Sequence, residues 1–102
     1  MTETCDWDDL VRREGIYYKK STDVPFTGKV TGKDPEYNRK MQGSFKDGKW
    51  DGPYVSYHRN GQLWQKGTYK DGKYDGPWVA YNEDGTVNSK YTGTFKDGVK
   101  VK

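Results

Sequence analysis

Cysteine and histidine occur once each in these 102 residues, as Cys5 and His58. A lone cysteine forbids an intramolecular disulfide. One histidine and one distant cysteine fall short of the ligand set that a zinc site draws. His58, beside a turn, reads as an exposed strand-end residue rather than as half of a Cys–His pair. Aliphatic residues are scarce, with two leucines, one isoleucine and eight valines, so no run approaches the ~18 apolar residues of a membrane span. Nothing reads as a signal peptide. The compartment stays open between the cytoplasm and export, the latter if a signal was removed from a precursor. A Gly-x-x-x-x-Gly-Lys-Ser/Thr phosphate loop is missing, and Asp71-Gly72-Lys73-Tyr74-Asp75 lacks the oxygen ligands of a calcium loop. Charge of one sign is missing too. The 18 basic and 15 acidic residues, net +3, interleave as in Lys46-Asp47, Lys70-Asp71 and Lys96-Asp97, without the basic stripe of a nucleic-acid binder. The expectation is a chain with no catalytic, cofactor or metal residues and no nucleic-acid partner.

Aromatic residues take the place of the missing aliphatics. They make up 16% of the chain, mostly Tyr and Trp, which argues against disorder and for a thin core of rings. They sit in repeats. Gly43-Ser44-Phe45-Lys46-Asp47-Gly48, Gly67-Thr68-Tyr69-Lys70-Asp71-Gly72 and Gly93-Thr94-Phe95-Lys96-Asp97-Gly98 are one box written three times, first 24 and then 26 residues apart. The match continues from Lys49-Trp50-Asp51-Gly52-Pro53-Tyr54 to Lys73-Tyr74-Asp75-Gly76-Pro77-Trp78. Such periods mark stacked units, each too small to bury its own apolar face.

Turn signals complete the pattern. Asp47-Gly48, Asn60-Gly61, Asp71-Gly72, Asp84-Gly85 and Asp97-Gly98 follow one another at 13, 11, 13 and 13 residues. Each favours a hairpin, because Gly accepts positive φ freely and Asn or Asp tolerates it. The spacing predicts an all-β, elongated and twisted antiparallel meander of about eight strands. Upstream, Phe26-Thr27-Gly28 plays the part of Trp50-Asp51-Gly52 and Tyr74-Asp75-Gly76, and residues 32–40 read as a surface loop. Trp7, Leu10 and Val11 fall at helical spacing with Asp6 as a cap, which predicts a short helix ending near Gly15. The expected organisation is an N-terminal helical cap over residues 1–14 and a repeat domain over 15–102. The latter divides into a degenerate unit 15–42, repeats 43–66 and 67–92, and a partial repeat 93–102.

Alternation sorts the strand faces. One face carries rings interspersed with glycines: Met41, Gly43, Phe45; Trp50, Gly52, Tyr54, Ser56; Leu63, Gln65, Gly67, Tyr69; Tyr74, Gly76, Trp78, Ala80; and Tyr91, Gly93, Phe95. A ring on one strand can then lie over bare backbone on the next, so Phe45, Gly52, Tyr69, Gly76 and Phe95 are assigned to the repeat's structure. Pro53 and Pro77 lack a donor N–H and must sit where the ladder is interrupted. The other face is mixed, with Val55, Tyr57, Trp64, Val79 and Tyr81 as an apolar cluster rimmed by Lys66, Asp51 and Asp75. That composition is typical of an interface, and the cluster is the candidate partner surface unless the N-terminal helix covers it.

The unit Gly-x-aromatic-Lys-Asp-Gly-Lys-x-Asp-Gly-Pro-aromatic-Val-x-Tyr resembles the bacterial variant of the MORN repeat, and within it the YwqK-type antitoxin-like proteins. The resemblance covers about residues 15–102. It implies stacked hairpins and a non-catalytic binding module. The leading reading is protein–protein interaction, in an antitoxin-like form, with a homodimer as one version. The alternatives are a phospholipid-headgroup or membrane-surface module and a cell-wall glycan-binding module.

Overall fold

The structure, a computed structural model, describes residues 4–33 and 39–102. Twelve strands appear among them: β1 Thr4–Asp6, β2 Leu10–Arg13, β3 Ile16–Lys19, β4 Gly28–Lys33, β5 Lys40–Lys46, β6 Lys49–Trp50, β7 Gly52–Tyr57, β8 Leu63–Lys70, β9 Lys73–Tyr74, β10 Gly76–Ala80, β11 Gly93–Lys96 and β12 Val99–Lys100. The main sheet runs β1-β4-β5-β7-β8-β10-β11-β12, with β6 on β5 and β9 on β8, while β2 and β3 pair separately. All pairs are antiparallel except β1 on β4. The extents of 41 × 30 × 26 Å make elongation modest.

The expected count of eight strands is too low for a specific reason. Gly52 and Gly76 take φ of 105° and 84°, which bends the chain just after Asp51 and Asp75. Each long inter-turn stretch therefore breaks into a two-residue strand (β6, β9) and a longer one (β7, β10). The prolines fall at the same breaks. The β5–β7 ladder covers only Met41↔Ser56 and Gln42↔Val55, and the β8–β10 ladder only Val79↔Lys66 and Ala80↔Gln65. Both stop short of Pro53 and Pro77, as residues without an N–H require.

Among the described residues, the expected N-terminal helix is absent. Asp6 does cap, its carboxylate accepting from Asp8 N at 2.9 Å, but it caps a single 3₁₀ turn, Trp7–Asp9. Leu10, Val11 and Arg12 then enter β2, opposite Lys19, Tyr18 and Tyr17 of β3. A two-turn helix is marginal by itself, whereas this hairpin buries Leu10 against Cys5, Phe26, Val30 and Phe45. Its turn is Glu14-Gly15, with φ of 52° and 83°, against 51° and 81° at Asp47-Gly48. The segment is thus a degenerate hairpin box and not a helical cap. The loop expected over 32–40 also shortens, since Gly32↔Met41 and Lys33↔Lys40 are paired; its centre lies outside the described residues.

The five Gly turns fall into two classes. At 47–48, 71–72 and 97–98 both residues have positive φ, the type I′ geometry that matches strand twist. At Asn60-Gly61 and Asp84-Gly85 only the glycine does. There His58 N donates to Gln62 O and Gly61 N to His58 O, copied by Asn82 N to Thr86 O and Gly85 N to Asn82 O.

Rings and glycines share the inner face. A column runs Tyr17, Phe45, Trp50, Tyr69, Tyr74, Phe95, with successive centroids 5.1, 4.3, 5.4, 5.3 and 5.1 Å apart. Trp78 stacks on Tyr74 at 3.8 Å, and its indole N–H donates to Thr68 O at 2.8 Å. Tyr91, expected on this face, is instead 43% exposed in a turn. The two extra residues before the last box replace a regular strand with the single bridge Tyr81↔Val87. Successive units are tied by one recurrent bond: Gly48 N to Phe26 O, Gly72 N to Trp50 O, and Gly98 N to Tyr74 O. Phe26 does take the place of Trp50 and Tyr74.

A Cβ on Gly67 would come within 3.0 Å of three indole atoms of Trp78, whereas one on Gly72 would meet nothing within 4 Å and suffer only from its φ of +81°. Gly67→Ala is therefore expected to cost about 3 kcal/mol, the upper range for overpacking, and Gly72→Ala about 1–2 kcal/mol from its left-handed backbone. Urea midpoints check this; Gly72→Ala equal to or worse than Gly67→Ala contradicts it.

Candidate functional site

The outer face follows from the register. Thr31 pairs with Gln42, Gln42 with Val55, Val55 with Lys66 and Lys66 with Val79. This row crosses five strands, with Val55 and Val79 flanking the Lys66 stem. A shallow groove of about 310 Å³ runs beside it, lined by residues that include Lys29, Ser44, Pro53, Val55 and Lys66. Val55 and Val79 are half-buried, with the inner face beneath them filled by rings.

The five residues assigned to a partner surface lie in two adjoining rows of the sheet. Val55 and Val79 sit mid-sheet. Tyr57, Trp64 and Tyr81 gather at the end where the His58–Gln62 loop closes. The register slips between Ser56 and Tyr57, so that Tyr57 faces Leu63 and Trp64 bulges. Tyr81 N donates to Trp64 O at 2.8 Å. The guanidinium of Arg39 lies over the Trp64 ring at 4.0 Å, within cation–π range. Of the repeat residues, Phe45 and Phe95 are buried, Tyr69 is half-buried among Trp50, Tyr54, Tyr74 and Trp78, and Gly52 and Gly76 supply the bends.

His58 is not the exposed strand-end residue expected from its place beside a turn. It is 6% exposed. The next repeat's loop packs against it: His58 Nε2 lies 2.6 Å from Tyr81 O, Asn60 Nδ2 donates to Glu83 O at 3.0 Å, and the imidazole tilts against Trp64 at 5.8 Å. Loop stacking between repeats is a tertiary effect. The only sequence signal for it is the equal turn-to-turn spacing that places one loop on the next. Cys5, the other single residue, is buried in the core on β1.

Residues 50–71 match the MORN repeat variant family. No curated protein and no solved structure matches the chain. The matched stretch begins at Trp50 and ends at Asp71, one residue before Gly72, whose N–H returns to Trp50 O. It covers 22 residues of the 24-residue period that separates the first two boxes. A MORN repeat is a repeat module of a kind often involved in binding.

Three groups have pKa values displaced from the ordinary by their surroundings. Asp84 is lowered because the Thr86 hydroxyl and amide donate to its carboxylate, which steadies the Asn82–Thr86 loop. The Tyr69 hydroxyl is raised far above its usual value by burial, with Tyr74 and Tyr54 adding to it, and Tyr74 is raised by burial as well. Unfolded tyrosine ionises near pH ~10. A raised folded value means that the unfolded chain loses its proton first, so the stability is intact below about pH 10 and is lost as the pH rises above it. The melting temperature should hold between pH 7 and 9 and fall beyond about pH 10, and Tyr69→Phe should blunt that fall. An equal alkaline fall in Tyr69→Phe contradicts the assignment.

Proposed function

We propose that this chain is a non-catalytic repeat module that binds another protein through the outer face of its sheet. The observation that carries the reading is the division of labour between faces. The inner face is occupied by the ring column and by Leu10, Phe26 and Val30. The outer row leaves Val55 and Val79 half-buried around one lysine, an apolar centre with a polar rim. Of Trp7, Leu10 and Val11, the residues that a helical cap would have laid over this face, Trp7 and Leu10 pack into or against the core and Val11 lies exposed in β2 opposite Tyr18. The narrower form of the reading is antitoxin-like, a face that occludes a toxic partner. The resemblance of the boxes supports that form.

Photo-crosslinking from Val55 and from Val79 in cells, with Lys96 as an exposed reference, tests the assignment. One adduct of defined mass is expected from both valine positions and none from Lys96. An adduct at twice the chain's mass, matched by light scattering, makes the partner a second copy of this chain. No adduct from either valine, or the same adducts from Lys96, refutes the assignment.

A further inference from the structure

Lys33 and Lys40 face each other directly at the end of the β4–β5 pair, and both are exposed. Like charges directly opposite on antiparallel strands repel. Both line a cavity of about 480 Å³ together with Tyr57, His58, Arg59 and Gly61. The described lining thus holds three fixed cations and no carboxylate. An adjoining cavity of about 540 Å³ shares Lys33, Lys40 and Tyr57 but is also lined by Asp6 and Asp8. Among the described lining residues, electrostatic attraction for an anion is therefore concentrated on the Arg59 side.

His58 lines the same cavity. Its Nε2 contacts the Tyr81 carbonyl, which can only accept, so Nε2 carries the hydrogen. Nδ1 is then the ring's other nitrogen. It is buried with no hydrogen-bond partner among the described residues, a costly state for a polar atom inside a fold.

We propose that this cavity binds a phosphate monoester. A dianion offers enough acceptor oxygens for the forked guanidinium of Arg59 and the two ammonium groups together. The half-buried Tyr57 ring, which lines both cavities, gives the organic group of the ester an apolar wall. The site stands apart from the Val55–Lys66–Val79 row, so it holds or falls separately from the protein-binding reading.

Amide spectra of the ¹⁵N-labelled chain, titrated with inorganic phosphate at fixed ionic strength, test the proposal. Saturable shifts are expected at Lys40, His58, Arg59 and Gly61. Arg59→Gln should weaken phosphate binding by about tenfold, the loss of a charge-assisted pair, and Lys96→Gln by less than about twofold. The variant spectra themselves report whether the fold is kept, and Lys40→Gln serves as the second probe. Glycerol 3-phosphate and phosphatidylcholine vesicles with or without phosphatidic acid then separate the sources. Tighter binding of the soluble ester assigns a free metabolite, and binding only to phosphatidic acid vesicles assigns a lipid headgroup; either supports the site. An absence of saturable shifts, shifts shared equally by Lys46, Lys70 and Lys96, or equal losses in Arg59→Gln and Lys96→Gln overturns it.

Discussion

The close approach of an aromatic ring to bare backbone holds this fold together. Trp50 lies over Gly43 and Trp78 over Gly67, each near enough that a Cβ would come within 3.0 Å of at least one indole atom. A sheet with so few aliphatic side chains cannot build a deep core. It gains burial by letting large flat rings lie directly on the neighbouring strand. Gly inside a strand is ordinarily a loss; here it is the space into which a ring fits. Ring pairs at these separations add roughly 0.5–1.5 kcal/mol each beyond the area they bury, and the column has five such steps.

A cation takes the cross-turn position at each end of the column, beside Trp7 at the Tyr17 end. Across each type I′ turn one residue faces another: Phe45↔Trp50, Tyr69↔Tyr74 and Phe95↔Lys100, with Arg12↔Tyr17 at the Glu14-Gly15 turn. Arg12 and Lys100 therefore stand where rings stand elsewhere. Arg12 lies 5.9 Å from the Tyr17 ring centre, and Lys100 Nζ donates to Ser89 O at 2.8 Å while its stem lies by Gly93. A stack of repeats needs end units that differ from the interior, and a long aliphatic stem with a charged tip covers the last ring while keeping water at the end.

Much of this was legible because local chemistry and global fold agree in the central repeats. Asp-Gly at fixed spacing gave the hairpins, two-residue alternation gave the ring face, and the prolines marked the breaks. The N-terminus misled because Trp7, Leu10 and Val11 happen to fall at helical spacing, while the real signal, Glu14-Gly15 as a variant of Asp-Gly, is separated from its unit by the insertion before Phe26. The parallel pairing of β1 with β4 is purely tertiary and leaves no local mark. The site was legible in part. Alternation placed Val55 and Val79 around Lys66, but the slip at Ser56/Tyr57 moved Tyr57 and Trp64 to the loop end. The burial of His58 depends on the neighbouring loop rather than on its own surroundings in the chain.

The central claim is that stability resides in ring-to-ring stacking between repeats, so that position in the column decides what a ring is worth. Among the described residues, Tyr69 meets four rings within 5.4 Å and Phe95 meets Tyr74 alone, although Phe95 is the more buried of the two. Denaturant unfolding of Tyr69→Ala and Phe95→Ala separates stacking from burial. If stacking dominates, Tyr69→Ala loses about 3–5 kcal/mol, the range for a core aromatic, and Phe95→Ala less than half as much. Equal losses, or a larger loss in Phe95→Ala, would contradict the account.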